Sequence, residues 1–245
     1  MRSFAQVDVF TTQAGLGNPV AVVLDAEGLT DDEMARFANW TNLSETTFVL
    51  PPTTAEADYR VRIFTPGSEL PMAGHPTLGT CRALLDAGVI PDRGHWVQEC
   101  GAGLIEIQAQ PDGALRFQAP VPLVTPSPIE IAGLTRILSG TTPQEPILIE
   151  VGPRWLTARL ELAELDDLTI DSAAFFELHA QKVAIGINVY AVDDERQVHV
   201  RSFFDDGAGA LTEDPVCGSG NAAVGSTSAV PAGPATFRTP TRPGR

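Results

Sequence analysis

The chain carries one short motif twice, and each copy comes after an alternating segment that contains arginine. The first copy, ELPMAGH, begins at Glu69 and follows YRVRIF, and the second, EDPVCGS, begins at Glu213 and follows VHVRSF. A third match pairs the segment GNPVAV from Gly17 with GINVYAV from Gly186. Because three similar elements occur in the same order, the sequence predicts an internal duplication and therefore two similar halves.

Strand and helix signals alternate in both halves. The segments AQVDVFT, GNPVAVVL, TTFVLPP and DYRVRIFT predict strands. The segment LTDDEMARFANWTN predicts a helix, with Thr30 as its N-cap and Glu33 completing a capping box. LIEIQAQ and ALRFQAP predict a hairpin around Asp112 and Gly113. Similar segments recur in the second half, and the whole pattern indicates a mixed α/β fold.

Four prolines interrupt the pattern between the two halves, in the segment APVPLVTPSP. We interpret this segment as a linker, which predicts an N-terminal domain over 1–119, a proline-rich linker over 120–128 and a C-terminal domain over 129–228. The remaining segment, 229–245, contains four prolines and no acidic residue, and we predict that it is disordered. We also expect the C-terminal domain to be incomplete.

Composition and charge argue against several classes of function. The net charge is −15, with 31 acidic against 16 basic residues, so we expect no nucleic-acid or anionic-membrane partner. Asp8 lies where a signal peptide needs an apolar core, and no segment approaches the ~20 apolar residues of a membrane span. The three cysteines are widely spaced, which together with these features predicts a cytoplasmic protein. The four histidines are not clustered, so we expect no metal site.

Gly74 and Gly218 each stand at the predicted start of a helix, inside the two motif copies. The first N–H groups of a helix have no partner within it and attract anions, and glycine lets a substrate approach the backbone closely. A carboxylate or a developing enolate suits such a place. The alternative is a pair of plain capped helices, with Ser219 as an N-cap and His75 as a hydrogen-bonded polar neighbour.

The second motif copy also matches the dinucleotide fingerprint G-x-G-x-x-A, over 218–223. However, the segment ahead of it, EDP, does not read as a buried strand. No acidic residue follows Asp214 that could bind a ribose. We therefore expect no dinucleotide at this motif.

Three longer segments together resemble the phenazine-biosynthesis PhzF-like isomerase family. They are VDVFTTQAGLGNPVAVVLDAEGLTDDEMARFANWTNLSETTFVLPP, RIFTPGSELPMAGHPTLGTCRALLD and EDPVCGSGNAA, and the resemblance runs from about Gln6 to about Gly225. It implies the diaminopimelate-epimerase-like α/β fold, with two similar domains that are each a curved, mainly antiparallel sheet wrapped around a central helix. It also implies cofactor-independent proton transfer in a cleft between the domains, and a homodimer.

The resemblance gives roles to individual residues. The family's catalytic glutamate corresponds to Glu45 in the segment NLSET, and we expect burial to raise its pKa. His75 and Asp214 correspond to residues that hold polar groups of the substrate or assist the proton transfer. The implied substrate is a small carboxylated molecule, which the two helix starts bind. The substrate-binding residues implied in this way are Gly74, Gly218, Ser219 and Cys217.

Two departures from the family pattern leave alternatives open. Related epimerases and racemases have a cysteine before each helix-start glycine, whereas this chain has Ala73 at the first position and Cys217 at the second. Cys217 is either a buried filler or a second base that acts with Glu45 in a racemase or epimerase, where the helix N-terminus would lower its pKa. The second departure is the unusual C-terminal segment, which leaves open a catalytically weak remnant that only binds a metabolite or a partner chain.

Overall fold

The structure is a computed structural model, and it divides into two compact units. Unit 1 contains the described residues up to Gln118 together with Gly209, and unit 2 contains the other described residues. Each unit has its own sheet and its own hydrophobic core. The residues that the structure describes are 2–118, 121–205, 209–214 and 216–227, with the backbone alone of Phe237–Arg238.

Unit 1 is an eight-stranded sheet with two helices. Its strands are β1 (Phe4–Val9), β2 (Asn18–Val23), β3 (Glu45–Leu50), β4 (Tyr59–Phe64), β5 (Glu69–Leu70), β6 (His95–Cys100), β7 (Gly103–Ala109) and β8 (Leu115–Phe117). Its helices are α1 (Asp31–Thr41) and α2 (Gly74–Asp86). The strands lie in the order β1-β2-β3-β4-β6-β7-β8, with β5 beside β4. Among these strands β2 runs parallel to β3 and β4 to β6, and the other pairs are antiparallel.

Helix α2 is the centre of unit 1. It contacts β1, β2 and β3 at one end of the sheet and β8 at the other, so the sheet curves around it. Gly79 lies where the helix and sheet are closest: a Cβ there would come 2.4 Å from Val20 Cγ1 and 2.9 Å from Val9 Cγ2. Only glycine fits this contact, and the close approach holds α2 against β2.

Helix α1 begins as predicted from its capping box. The Thr30 hydroxyl accepts the Glu33 N–H, and the Glu33 carboxylate accepts the Thr30 N–H at 2.9 Å. Its buried residue Met34 belongs to a cluster with Phe48 and Phe64 that is separate from the core around α2. The sheet of unit 1 is therefore covered by α1 on one face and by α2 on the other.

Unit 2 is a seven-stranded sheet with four helices among its described residues. The strands lie in the order β14-β13-β12-β11-β10-β9, with β15 beside β13. The strands are β9 (Leu123–Pro126), β10 (Gln144–Glu150), β11 (Arg154–Arg159), β12 (Gly186–Val192), β13 (Val198–Asp205), β14 (Leu211–Asp214) and β15 (Phe237–Arg238). The helices are α3 (Ile131–Ile137), α4 (Leu162–Asp166), α5 (Ser172–His179) and α6 (Gly218–Gly225).

The two faces of the unit 2 sheet carry different helices. Leu134 of α3, Leu165 of α4 and Phe175 of α5 share one buried cluster with Ile187 and other sheet residues. Helix α6 packs on β11, β12 and β13, and its residue Val224 lies in a second cluster with Tyr190. In this way α6 takes the place in unit 2 that α2 takes in unit 1.

The strand arrangement contains the duplication predicted from the two motif copies. In unit 1, β1–β2 and β3–β4 are antiparallel pairs joined by the parallel pair β2–β3, and β5 follows antiparallel to β4. In unit 2, β10 to β14 repeat this pattern strand for strand. A further parallel strand lies beside β4 in unit 1 (β6) and beside β13 in unit 2 (β15).

The third sequence match, between Gly17 and Gly186, is wrong. By its neighbours β12 corresponds to β3 and not to β2, since it runs parallel to β11 and antiparallel to β13. Gly186 is paired with Trp155 in the same way that Glu45 is paired with Val20. Gly186 therefore occupies in unit 2 the position that Glu45 occupies in unit 1.

The predicted linker over 120–128 is wrong at its centre, where Leu123–Pro126 form β9 and pair with β10. β9 lies at the edge of its sheet, where proline is tolerated because one side needs no N–H donor. Four further elements, β5, β6, β14 and α4, were not predicted from the sequence. Of the segment 229–245, only the backbone of Phe237–Arg238 is described, and it pairs with β13; the other positions lie outside the described residues, so their predicted disorder stays a prediction.

Candidate active site

Both motif glycines lie at the first position of a helix, Gly74 in α2 and Gly218 in α6, as the sequence predicted. Helix α1 differs, because it has a capping box and three acidic residues in its first turn. The first turns of α2 and α6 contain no acidic residue, and the N-cap of α2, Ala73, has no side-chain acceptor. The positive end of α2 is therefore not neutralised by its own residues and can bind an anion.

An arginine–glutamate pair fixes the strand ahead of the α2 start. The Arg62 guanidinium donates to both carboxylate oxygens of Glu69, from Nε at 2.7 Å and from Nη2 at 2.6 Å. It also lies over the Phe64 ring, 5.1 Å from the centroid, and its Nη1 contacts Asp31 at 2.5 Å. Because Glu69 belongs to β5, this bidentate pair sets where the chain turns into α2.

Unit 2 contains an equivalent arginine–glutamate pair, in which the arginine is more deeply buried. Arg201 donates to both carboxylate oxygens of Glu213, at 2.7 and 2.9 Å, and lies 5.0 Å from the centroid of the Phe203 ring. Its Nη1 donates to the carbonyls of Leu165 and Leu168, each at 2.9 Å. The two motif copies thus share a contact that the sequence showed only as an arginine in one strand and a glutamate in the next segment.

Glu45 and His75 lie against each other in unit 1. Glu45 is the first residue of β3 and His75 the second residue of α2, and Glu45 Oε2 is 3.3 Å from His75 Nε2. Their side chains are 16% and 7% exposed. The pair is slightly long and is not aligned as a hydrogen bond, but catalytic hydrogen bonds often shorten only when the substrate is bound.

His75 is neutral, and its proton lies on the nitrogen remote from Glu45. Burial lowers the pKa of His75 to about 3, so the ring carries one proton at neutral pH. The ring is hydrogen-bonded to the backbone of Pro19, which has no N–H, so the ring donates to the carbonyl. Because Nε2 is the nitrogen near Glu45, the donor is Nδ1, and Nε2 presents a lone pair. A hydrogen bond between Glu45 and His75 therefore requires a proton on the Glu45 carboxyl.

Asp214 and Cys217 lie together at the start of α6. Asp214 Oδ1 accepts the Val216 N–H at 3.0 Å, and burial raises the pKa of the Asp214 carboxyl. Cys217 is the N-cap of α6, and its Sγ accepts the Gly220 N–H at 3.3 Å. Burial, with a smaller effect of Asp214, raises the pKa of the Cys217 thiol. The lowered pKa expected for a racemase base is therefore wrong, and the thiol is a buried helix cap.

Ser219 is not the N-cap that the plain-helix alternative assumed. It is the second residue of α6, and its hydroxyl accepts the indole N–H of Trp155 at 3.1 Å. In the unit 2 motif, Ser219 corresponds to His75 of unit 1. In the unit 2 sheet, Trp155 corresponds to Val20 of unit 1. The equivalent helix starts therefore carry different side chains: an imidazole beside a carboxyl in unit 1, and a hydroxyl beside an indole in unit 2.

The position of Glu45 has no acidic counterpart in unit 2. Gly186 takes its place, and a Cβ there would lie 2.2 Å from the Phe203 carbonyl oxygen and 2.7 Å from the Trp155 ring. The indole fills the space that the Glu45 side chain uses in unit 1. Of the two equivalent positions, only the one in unit 1 can hold a general base.

Two residues beside His75 were not found from the sequence. Phe10 has a left-handed backbone, with φ of 65°, is 45% exposed and packs edge-on against the His75 ring at 6.5 Å between centroids. Asn18 is fully buried next to Pro19. A left-handed bulky residue is strained, and such strain is frequent at functional sites. Phe10 lies within the first segment that resembles the family, but no residue type or spacing there marks it as a neighbour of His75.

In the part of the chain that the structure describes, no three His, Cys, Asp or Glu side chains are grouped so that they could hold a metal ion. Among the same residues, no helix is both long enough and apolar enough to span a bilayer.

Comparison with known proteins identifies the family. The family described as phenazine biosynthesis-like protein, PhzC-PhzF, matches residues 7–228. The chain belongs to the PhzC-PhzF family. One relative, antisense-enhancing sequence 1 of Schizosaccharomyces pombe, is 38% identical over 91% of this chain and 79% of its own length. Another, the trans-2,3-dihydro-3-hydroxyanthranilate isomerase of Pseudomonas aeruginosa, is 34% identical over 89% of this chain and 77% of its own length.

Solved structures of the family share the fold. The crystal structure of the Bacillus anthracis phenazine biosynthesis protein of the PhzF family matches with a TM-score of 0.77 at 26% identity, over 91% of this chain and 79% of that one. Epimerase- and racemase-like proteins of known structure share the architecture as well. The predicted epimerase-like α/β fold is confirmed, and the chain is a PhzF-like isomerase.

Proposed function

We propose that this PhzF-like isomerase moves a hydrogen between carbon atoms of a small carboxylated metabolite without a cofactor, with Glu45 as the general acid and base. The observation that carries the proposal is the pair of Glu45 and His75. A carboxyl group, largely buried, faces the lone pair of a neutral imidazole at 3.3 Å. Such a carboxyl group can hold a proton in one state and accept one from carbon in the other.

The proposed reaction is a proton shuttle on one conjugated substrate. The Glu45 carboxylate removes a proton from a C–H group, and negative charge spreads over the conjugated system. The carboxylic acid so formed is stabilised by donating to His75 Nε2, and then returns its proton to another carbon. A positioned acid–base group of this kind contributes about 10²–10⁴-fold to the rate.

The anionic groups of the substrate are matched by the helix starts. The uncapped first turn of α2, at Gly74, offers N–H groups to a carboxylate or to enolate-like charge, worth about 3 kcal/mol at the transition state for one well-placed donor. We propose that Gly218, Ser219 and Cys217 line the second helix start and that Asp214 binds a polar group of the same substrate. Burial raises the pKa of Asp214, as expected for a carboxyl group held away from water.

Deuterium uptake tests the proposal. The probe is trans-2,3-dihydro-3-hydroxyanthranilate, the compound named for the Pseudomonas aeruginosa relative, together with other small cyclic and acyclic carboxylic acids. In heavy water the protein should introduce deuterium at carbon, detected by NMR. Glu45→Gln should lower the exchange rate at least 100-fold while the probe still binds.

Glu106→Gln is the matched control, because Glu106 is a unit 1 glutamate whose side chain is 70% exposed. This variant should exchange at the rate of the unchanged protein. Exchange that survives Glu45→Gln would show that Glu45 is not the base. A lack of exchange with every acid tested would contradict the assigned substrate class.

We further propose a cytoplasmic protein that acts as a homodimer on its small substrate, with no nucleic-acid or membrane partner. The net charge of −15 opposes binding to nucleic acid. Three free thiols, Cys81, Cys100 and Cys217, are compatible with a reducing compartment. Light scattering of the purified protein tests the dimer, and a monomeric mass would contradict it.

A further inference from the structure

Four side chains form a polar row across the unit 2 sheet. Thr157 on β11, Asn188 on β12, Ser202 on β13 and Asp214 on β14 are paired directly with one another from strand to strand. Directly paired residues lie on the same face of a sheet. Thr157 and Asn188 are fully buried and Ser202 is 2% exposed. The row therefore runs through the interior and ends at the Asp214 carboxyl.

The equivalent row of unit 1 shows that the fold does not need these polar groups. Val22, Thr47, Ile63 and Leu70 occupy the same four positions, by the same strand pairing. Three of these four residues are aliphatic, and Thr47 is hydrogen-bonded to Thr80 at 2.8 Å. Burying polar groups in place of aliphatic ones costs stability unless they are hydrogen-bonded. The polar row of unit 2 therefore requires an explanation beyond packing.

Three oxygens of the row are buried without an aligned hydrogen bond to any described residue: Thr157 Oγ1, Asn188 Oδ1 and Ser202 Oγ. Gly220 lets the backbone of α6 lie directly against two of them. A Cβ at Gly220 would come 2.5 Å from Ser202 Oγ and 2.6 Å from Asn188 Oδ1. Buried polar groups are nearly always hydrogen-bonded, so such a cluster is unusual in a core.

The Cys217 thiol connects the row to Asp214. It lies close to the Asp214 carboxyl, whose pKa it lowers by hydrogen bonding, and close to the Ser202 hydroxyl. The thiol is held in place by the Gly220 N–H at 3.3 Å. Ser202 thus lies next to Asp214 in the row and also reaches it through the thiol.

We propose that Ser202 is a positioning residue for Asp214: together with the Cys217 thiol it orients the Asp214 carboxyl toward the substrate, and Asn188 and Thr157 supply the polar surroundings in which the Ser202 hydroxyl turns. The inference rests on the proposed function, because it assumes that Asp214 meets the substrate. In this arrangement the Ser202 hydroxyl can reorient when the Asp214 carboxyl binds a polar group of the substrate. An aliphatic residue such as Ile63 cannot respond in that way.

The experiment compares Ser202→Ala with Thr227→Val. Thr227 is also buried in unit 2, beside Tyr190 and beyond the other end of α6, about 15 Å along the helix from Cys217. The first readout is the titration of the Asp214 carboxyl by carbon-13 NMR, which needs no activity. Ser202→Ala should move that titration to higher pH, because the Asp214 carboxylate loses the polar hydroxyl paired with it across β13 and β14, and Thr227→Val should leave it unchanged.

The second readout is the pH profile of deuterium exchange. Ser202→Ala should reduce kcat about tenfold, as expected for one lost hydrogen bond to an ionisable group, and should shift the limb assigned to Asp214. Cys217→Ala, which removes the thiol donor, should also move the Asp214 titration to higher pH. These changes are measured in variants shown by circular dichroism to be folded.

The two readouts separate failure of this inference from failure of the proposed function. An Asp214 titration that is identical in Ser202→Ala and the unchanged protein would overturn the inference, whatever the activity. An equal shift in Thr227→Val would also overturn it, because it would show a general effect of losing a buried hydroxyl. A shifted titration without any exchange activity would support the positioning role and contradict the proposed reaction.

Discussion

The two arginine–glutamate pairs should contribute very differently to stability, although they occupy equivalent positions. Glu213→Gln leaves the Arg201 guanidinium without its counter-charge, and that side chain is 2% exposed. Removing one partner of a buried ion pair costs about 3–5 kcal/mol. Glu69→Gln leaves Arg62 with a side chain that is 26% exposed and a second partner in Asp31, so its cost should be about 0–1 kcal/mol.

Urea denaturation measures this difference. A domain of this kind has a free energy of unfolding of about 5–15 kcal/mol, so Glu213→Gln should lower the unfolding midpoint of unit 2 visibly. Trp155 lies in unit 2 and is 2% exposed, and Trp96 lies in unit 1 and is fully buried. Trp40, in α1, is a second unit 1 tryptophan, so fluorescence of the unchanged chain mixes both units. Trp40→Phe together with Trp96→Phe isolates the unit 2 signal for Glu213→Gln, and Trp155→Phe isolates the unit 1 signal for Glu69→Gln.

Glu213→Gln should also affect the candidate site, because β14 contains both Glu213 and Asp214. Asp214 is the residue after Glu213, so loosening the pair also releases Asp214, and exchange activity should fall in Glu213→Gln even under conditions where the protein is folded. If Glu69→Gln and Glu213→Gln were equal in their free energy of unfolding, within about 0.5 kcal/mol, burial would not control the strength of these pairs and the reasoning would be refuted.

Two further predictions concern unit 1. Burial lowers the pKa of His75 from 6.5 to about 3, so the unfolded chain binds one more proton in that interval and stability is lost as the pH falls from about 6.5 towards 3. His75→Gln should reduce the slope of unfolding free energy against pH by up to ~1.4 kcal/mol per pH unit there, measured by urea denaturation at several pH values; an unchanged slope would show that His75 does not titrate in this way. Gly79→Ala should destabilise unit 1 by about 1–3 kcal/mol, because its Cβ would come 2.4 Å from Val20 Cγ1. Gly28→Ala is the control: its site is open to solvent and has a positive φ, so this variant tests the backbone effect alone. Equal losses of thermal stability in the two variants would contradict the packing argument.

Local signals in the sequence predicted the helix starts correctly. The hydroxyl of Thr30 and the carboxylate of Glu33 lie three residues apart, so the capping box is encoded within one turn and does not depend on the rest of the fold. The same applies to Gly74 and Gly218, which mark helix starts by their place in the repeated motif. The resemblance to the PhzF-like family then predicted the fold, which the comparisons confirm.

Contacts between distant segments could not be predicted in this way. The proline-rich segment around Leu123–Pro126 is a strand because it pairs with the edge of β10. The local sequence does not indicate that such an edge is available. The polar row depends on the register of four strands, and a shift of one residue would turn Ser202 to the opposite face. The proton position on His75 depends on the carbonyl of Pro19, which lies far from it in the sequence.

The duplication lets one half of the chain serve as a control for the other. At three matched positions unit 1 has Glu45, His75 and Leu70, and unit 2 has Gly186, Ser219 and Asp214. Because equivalent strands and helices hold each matched pair, these differences do not arise from the fold and are candidates for function. They separate two tasks: a carboxyl paired with a neutral imidazole in unit 1, suited to moving a proton, and a buried acid with a polar row behind it in unit 2, suited to holding a polar group.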